Sequence, residues 1–169
     1  MRKLVECVPN FSEGRDLAKV EAIAEAIASA PGAAVLDIEL DADHNRSVIT
    51  FAAPPETVVE AALAGIGKAV ELIDLNEHTG VHPRIGAADV VPFVPLAGVS
   101  MEDCVRLSEK AAAEMWKRFG VPAYLYEAAA RRDDRRGLEN IRRGQFEGLR
   151  EAVKTEPDRA PDVGGPELH

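Results

Sequence analysis

The sequence predicts an α+β domain with a mainly antiparallel sheet and helices on one face of it. Short β-prone runs alternate with longer runs of helical periodicity, and two β-prone runs are joined only by a polar turn. A short turn allows antiparallel pairing, whereas parallel strands need a long crossover. The 169 residues are enough for one domain with its own core.

The first half of the chain supplies a β-α-β-β unit. Residues 4–8 are apolar and β-prone, and apolar positions recur at helical spacing over residues 17–27. Residues 34–40 alternate as a strand does, and the polar turn over residues 41–46 leads to a strand over residues 47–53.

The second half continues with a helix and a strand. The predicted elements are a helix from 55 to 73, a strand over 89–96 with edge-type prolines, a helix from about 101 to 119, a short strand over 123–127 and helical pieces over 131–153. The order β-α-β-β-α-β is the split βαβ, or ferredoxin-like, arrangement.

This strand order brings three polar segments to one edge of the sheet. In the split unit, the end of the first strand, the turn between the second and third, and the loop before the fourth share that edge. They are residues 10–12, 41–46 and 78–84. Because loops on a rigid scaffold commonly carry function, we expect the site there.

The segment HTGVHPRIG, residues 78–86, holds two of the four histidines. His78 and His82 have the spacing of a zinc-binding helical pair, but Gly80 and Pro83 oppose a helix, and no glutamate follows the first histidine. The sequence therefore predicts no metal. Two interpretations remain: a loop whose imidazoles only contact the backbone, and an acid–base site.

An acid–base site fits the neighbours of these histidines. An imidazole titrates near neutrality, and Pro83 restricts how His82 is presented. Arg84 and Arg46 offer planar forks suited to carboxylates, so a cationic pocket in this acidic chain indicates a small anionic substrate. For each arginine, a structural pairing with a nearby aspartate is an equal alternative.

Composition excludes several classes of partner. The formal net charge of −9 argues against general affinity for nucleic acid or anionic membranes, and no segment is apolar over a membrane-spanning length. Cys7 and Cys104 are isolated, as expected for a reducing cytoplasm. Residues 155–169 are rich in proline and glycine without periodicity, which predicts a linker or arm, mobile or docked on a neighbour, after a domain of residues 1–154.

Six segments resemble the amino-terminal subdomain of glutamate formimidoyltransferases, in the same order and over nearly the whole chain. They are VECVPNFSEGRD, DADHNRSVITF, HTGVHPRIGAADVVPFVPL, MEDCV, PAYLYEAAA and RRGQFEGL. The resemblance implies a ferredoxin-like fold and transfer of a formimino group from N-formimino-L-glutamate to tetrahydrofolate, a one-carbon step of histidine degradation. It also places the catalytic general acid/base on His82.

Further site residues follow from the chemistry that the resemblance implies. Arg46 or Arg84 would hold a glutamate carboxylate, Asp41 would hydrogen-bond the amidine or the pterin, and Asn10 would belong to the same substrate site. The resemblance places the folate contact at the end of the chain, on Gly164, Gly165, Pro166, Glu167, Leu168 and His169.

The family's transferase unit is longer and contains a second, similar subdomain, with folate between the two. The resemblance therefore implies a second transferase subdomain as a partner, in the same chain or a separate one. A face left open by its absence is expected to associate, most simply as a homodimer. The alternative function is a non-catalytic module, one half of a split enzyme, that binds a folate or glutamate derivative or a partner.

Overall fold

Six strands form one antiparallel sheet in the computed structural model, which describes residues 2–168. They are β1 (Leu4–Cys7), β2 (Asn10–Phe11), β3 (Ala34–Asp41), β4 (Arg46–Ala53), β5 (Ala88–Val90) and β6 (Phe93–Ala97). β4 pairs with β3 on one side and with β1 and β2 on the other; β1 also pairs with β6, and β2 with β5. Pro9 separates β1 from β2, and Pro92 separates β5 from β6, because proline has no N–H for the ladder.

Five α-helices accompany the sheet in the described part of the chain. They are α1 (Leu17–Ala28), α2 (Pro55–Leu72), α3 (Met101–Phe119), α4 (Leu138–Arg142) and α5 (Gln145–Thr155). A capping box joins Ser100 and Asp103 at the start of α3, and Gly120 ends this helix in the left-handed conformation. No helix within residues 2–168 combines the length and apolar character that crossing a membrane requires.

The core lies between one face of the sheet and the helices α1, α2 and α3. Val5 and Cys7 of β1 are fully buried, as are Ile49 and Phe51 of β4, while the strand residues between them are only partly covered. This alternation is what a sheet with one packed face produces. On the other face Leu96 is 50% exposed. The predicted α+β class with a mainly antiparallel sheet is confirmed.

Two predictions about the second half differ from the structure. Residues 123–127 form no strand: Ala123 makes a single bridge with Val163, and a 3-10 turn covers Glu127–Ala129. The predicted arm is not a free segment over residues 155–168, because it continues from α5 into the turn Pro157–Arg159 and lies against the domain. The backbone pairing with Ala123 joins segments distant in sequence, which local periodicity cannot reveal.

Candidate functional site

The three polar segments predicted to share one edge of the sheet do meet there. Arg46 at the end of the 41–46 segment contacts both Asn10 and His82. Asn45, in the turn between β3 and β4, is buried and bonds to the loops that follow β2 and precede β5. Its Oδ1 accepts the Gly14 N–H at 2.9 Å, and its Nδ2 donates to the Thr79 carbonyl at 2.9 Å. The φ of +51° lets Asn45 aim its amide inward, a conformation that asparagine tolerates better than most residues. The predicted convergence is confirmed.

Two glycines press the neighbouring loops against this turn. A Cβ on Gly14 would lie 2.2 Å from the Asp41 carbonyl oxygen, and one on Gly80 would lie 2.5 Å from the His44 carbonyl oxygen. Only glycine allows such backbone contact. Gly14 and Asn45 could not be singled out from the sequence, since a glycine or an asparagine in a polar loop gives no distinguishing signal of such a contact.

His82 and Arg46 form the centre of the site. The distance from Arg46 Nη1 to His82 Nε2 is 2.9 Å, and the same Nη1 donates to Asn10 Oδ1 at 3.3 Å. A guanidinium can only donate, so Nε2 accepts and carries a lone pair. In the neutral ring the proton is therefore on Nδ1.

The surroundings keep the His82 imidazole uncharged. Partial burial lowers the pKa of His82 below its ordinary value, and the charges of Arg46 and Arg142 lower it further, against the opposing effect of Asp89. A histidine held neutral at physiological pH is in the form that accepts a proton.

Asp41 and His44 form a second, exposed pair at the rim. Asp41 accepts hydrogen bonds from the backbone N–H groups of Asp43 and His44, and its other oxygen lies 2.8 Å from His44 Nδ1. These hydrogen bonds lower the pKa of Asp41. The ring centroids of His44 and His82 are 6.3 Å apart. Asp41 is thus near the site, and both of its oxygens are engaged in shaping the turn.

Arg84, which the sequence analysis offered as a carboxylate ligand, points into the protein. It is 5% exposed, and all five of its N–H groups have acceptors. They contact the Nδ1 and carbonyl of His78, the Gln145 side chain and both oxygens of Glu147. Arg84 hydrogen bonds also lower the pKa of Glu147 to about 2. The structure thus gives Arg84 the structural role that the sequence left open, with no free donor for a substrate.

His78 belongs to this structural network. Its Nε2 lies 3.0 Å from the Asn45 carbonyl oxygen, and its Nδ1 accepts from Arg84 Nε at 2.9 Å. Nε2 therefore carries the proton and donates, which leaves the imidazole neutral. Burial lowers the pKa of His78 as well. The two histidines of the motif consequently differ: His78 fixes the loop, and His82 faces the arginine of β4.

Arg142 is a cation near the site that the sequence analysis did not select. Its Nη2 pairs with Asp89, whose other oxygen accepts the N–H groups of Ile85 and Gly86. Within residues 2–168, Arg142 Nε is buried and has no hydrogen-bond partner. Arg142 lay within the RRGQFEGL segment, but nothing local in that segment indicates a partner more than fifty residues earlier.

The first two residues of the segment predicted to contact folate, Gly164 and Gly165, lie against the indole ring of Trp116. A Cβ on Gly164 would lie 2.7 Å from Trp116 Cε3, and one on Gly165 would lie 3.2 Å from its Cη2. Pro166 and Glu167 are exposed, and Leu168 is half-buried. His169 lies outside the described residues. Folate binding by this segment stays a prediction.

No three His, Cys, Asp or Glu side chains lie together as a metal-binding group within residues 2–168. The absence of a metal stays a prediction, and chelation tests it. Dialysis against EDTA is expected to leave the melting temperature unchanged, because no folding energy depends on a bound ion. A lower melting temperature that returns when zinc is restored would contradict this expectation.

This α+β domain holds a neutral histidine against an arginine, at an edge formed by three converging segments. These two side chains are the groups needed for proton transfer on an anionic molecule. The comparisons with known proteins identify the family. The formiminotransferase domain, N-terminal subdomain, matches residues 4–169, and the chain belongs to this family.

Two curated relatives match this chain over nearly its whole length. The chain is 52% identical to glutamate formimidoyltransferase of Thermoplasma acidophilum, covering 96% of this chain and 55% of that protein. It is 48% identical to formimidoyltransferase-cyclodeaminase of Gallus gallus, covering 98% of this chain and 30% of that protein. The chain therefore spans about half the length of the first relative and less of the second.

Proposed function

We propose that the chain supplies the catalytic subdomain of a glutamate formimidoyltransferase, with His82 as general acid/base. The observation that carries the proposal is the neutral imidazole of His82, whose Nε2 faces the Arg46 guanidinium at 2.9 Å. The family and the names of its relatives support formimidoyl transfer in general. The reaction that we propose is transfer of a formimino group from N-formimino-L-glutamate to tetrahydrofolate, in histidine degradation.

The reaction needs one proton removed and one returned. The N5 nitrogen of tetrahydrofolate, the co-substrate, attacks the formimino carbon and forms a new C–N bond. His82 takes the proton from N5 and gives one to the glutamate nitrogen as the old C–N bond breaks. A single imidazole can do both, because its lone pair accepts a proton that the ring can then return. Arg46 is the candidate for a glutamate carboxylate, since Arg84 has no free donor.

The fold proposed for this subdomain is the ferredoxin-like split βαβ sandwich. If β1 with β2 and β5 with β6 are each counted as one interrupted strand, the sheet has four strands. The chain then reads β-α-β-β-α-β, with the third strand beside both the first and the second. This antiparallel order supports the proposal.

The transfer assay decides between the enzyme and the alternative, a non-catalytic binding module. The chain is mixed with the separately made remaining half of the Thermoplasma relative, and glutamate release from N-formimino-L-glutamate is followed with tetrahydrofolate present. We expect transfer by the mixture. Folate binding without transfer by a properly associated mixture would favour the binding module.

The second subdomain is proposed to cover the open face of the sheet. Val94 and Leu96 of β6 are apolar and exposed on this face, beside the partly buried Leu4. Exposed apolar residues grouped on one face commonly mark an interaction surface. We also infer a cytoplasmic location, because the two buried cysteines are unpaired.

Without the second subdomain, the isolated chain is expected to form a homodimer through this face. Sedimentation equilibrium should show a dimer that depends weakly on salt, because apolar burial drives it. Leu96→Lys should shift the equilibrium toward monomer by placing a charge in the contact. Leu17→Lys, at an equally exposed leucine of α1, is the matched control. A monomeric wild-type chain at high micromolar concentration would contradict the prediction.

A further inference from the structure

Arg46 is hydrogen-bonded to Nε2, the nitrogen that His82 needs for catalysis. A general base accepts its proton on a lone pair, and in His82 the available lone pair is on Nε2. That lone pair already accepts from Arg46 Nη1 at 2.9 Å. A substrate nitrogen cannot share the position, so this arrangement is a resting state.

We propose that Arg46 is a positioning residue that caps the Nε2 of His82 until a carboxylate of the bound substrate draws the guanidinium away. The proposal rests on the proposed function and adds to it a coupling between substrate binding and the availability of the base. The proposal requires the substrate to be an anion whose carboxylate lies close to the group that is transferred.

The hydrogen bonds of Arg46 favour such a movement. Within residues 2–168 it contacts two neutral acceptors, Asn10 Oδ1 and His82 Nε2, both through Nη1, and it forms no ion pair with an acidic side chain. A carboxylate adds its negative charge to the attraction for a guanidinium and can take two N–H groups together, whereas these acceptors are uncharged. A substrate carboxylate therefore competes well for this arginine.

Arg84 shows the contrasting case within the same site. All five of its N–H groups are engaged, two of them by the Glu147 carboxylate. It cannot turn to a ligand without breaking its ion pair with Glu147 and its buried hydrogen bonds to His78. Of these two arginines, which the sequence made equivalent, Arg46 alone keeps donors for a substrate.

The charges around His82 make its protonation sensitive to Arg46. Arg46 faces it from β4 and Arg142 from α4, while Asp89 of β5 provides the opposing negative charge. The exposed His44 ring lies 6.3 Å away on the turn between β3 and β4, paired with Asp41. Neutralising Arg46 with a carboxylate removes one of the two cations that oppose a proton on His82. Binding would then free the lone pair and raise its basicity together.

The release of His82 from Arg46 by a substrate carboxylate is called the gate below. Histidine NMR on the 15N-labelled chain tests the gate without any turnover. Long-range 1H–15N spectra recorded across pH give the tautomer and pKa of each imidazole, and His82→Gln assigns the His82 signals. The probe is glutarate, the five-carbon dicarboxylate, and neutral glutaramide is its control. For the wild-type chain we expect a neutral ring protonated on Nδ1, and a rise of the His82 pKa with glutarate but not with glutaramide.

Arg46→Met removes every donor while keeping an unbranched side chain. In this variant the His82 pKa should already be higher without glutarate, and glutarate should add nothing. Arg15→Met is the matched control, because Arg15 lies at the same edge and contacts Ala42 and Thr79 instead of His82. Unchanged His78 signals show that the Arg46→Met variant is folded.

Two results would overturn the gate. The first is a His82 pKa that glutarate does not move in the wild-type chain, which is decisive even if Arg46→Met does not fold. The second is a folded Arg46→Met variant whose His82 titrates as in the wild type. Because neither readout needs formimino transfer, a chain that shows the gate but fails the transfer assay would retain the gate and lose the proposed function.

Discussion

His82→Ala is expected to slow formimino transfer about 10²–10⁴-fold in an assembly of the chain with its second half, the range typical of a positioned general acid/base. The loss should appear mainly in kcat, because the imidazole acts on the reacting atoms and Arg46 would still hold a carboxylate. Steady-state rates with N-formimino-L-glutamate and tetrahydrofolate measure it. Near-normal turnover of the variant would remove His82 from the mechanism.

The other histidines are the controls for this prediction. His44→Ala removes an exposed ring at the rim and should have a small effect on the rate. His78→Ala breaks the buried contacts with Arg84 and the Asn45 carbonyl, so its main effect should be lower stability. Thermal unfolding of all three variants separates loss of fold from loss of chemistry.

The rate is expected to fall as the pH becomes acidic. Burial and the nearby cations lower the pKa of His82, so the ring stays neutral at pH values where an unperturbed histidine, with a pKa of 6.5, would be half protonated. The base form is lost only as pH falls through the lowered value. We therefore expect kcat/KM of free enzyme to decline on the acid side below pH 6.5.

The sequence could predict the edge of the sheet on which this site lies. Strand order follows from local periodicity and short turns, and strand order alone brings the segments holding Asn10, Arg46 and His82 together. Asn45 and Gly14 were missed because their roles depend on contacts more than thirty residues apart along the chain. Such contacts leave no periodic pattern.

The sequence could not separate Arg46 from Arg84. Both follow a polar stretch, and both lie near histidines in the chain. The difference comes from α5, which supplies Gln145 and Glu147 to Arg84 from more than sixty residues away. A partner at that distance decides whether an arginine has a structural role or keeps donors for a substrate.

The composition of the end of the chain was also misleading. Proline and glycine predicted a linker or arm, mobile or docked on a neighbour, whereas Asp162 of this segment forms a buried ion pair with Arg135 of the same chain, at 2.9 Å, with side chains 6% and 5% exposed. Asp162 also accepts the Leu125 N–H, and Arg135 donates to the carbonyls of Asp158 and Ala160. Arg135 lies in the run RRDDRR, whose nearly balanced charges are typical of a solvated surface, so the local sequence gives no sign of its burial.

Arg135→Met is therefore expected to destabilise the protein by about 3–5 kcal/mol, because it leaves the Asp162 carboxylate buried without its cation. This is a large part of the roughly 5–15 kcal/mol that stabilises a typical domain. Urea unfolding followed by circular dichroism measures the loss. The matched control is Arg136→Met: Arg136 and its partner Asp133 are 69% and 99% exposed, so that change should cost less than about 1 kcal/mol.

The same variant should release the end of the chain before the domain unfolds. Trp116 is the one tryptophan, and Gly164 and Gly165 lie against its ring, so its fluorescence reports whether the segment proposed to contact folate is docked. In Arg135→Met the emission should move to longer wavelength at a urea concentration that leaves circular dichroism unchanged. Replacing both partners, as in Arg135→Met with Asp162→Leu, should restore part of the stability because no buried charge is left unpaired, although the Leu125 N–H loses its acceptor. If Arg135→Met and Arg136→Met unfold at the same urea concentration, the ion pair does not hold this segment in place.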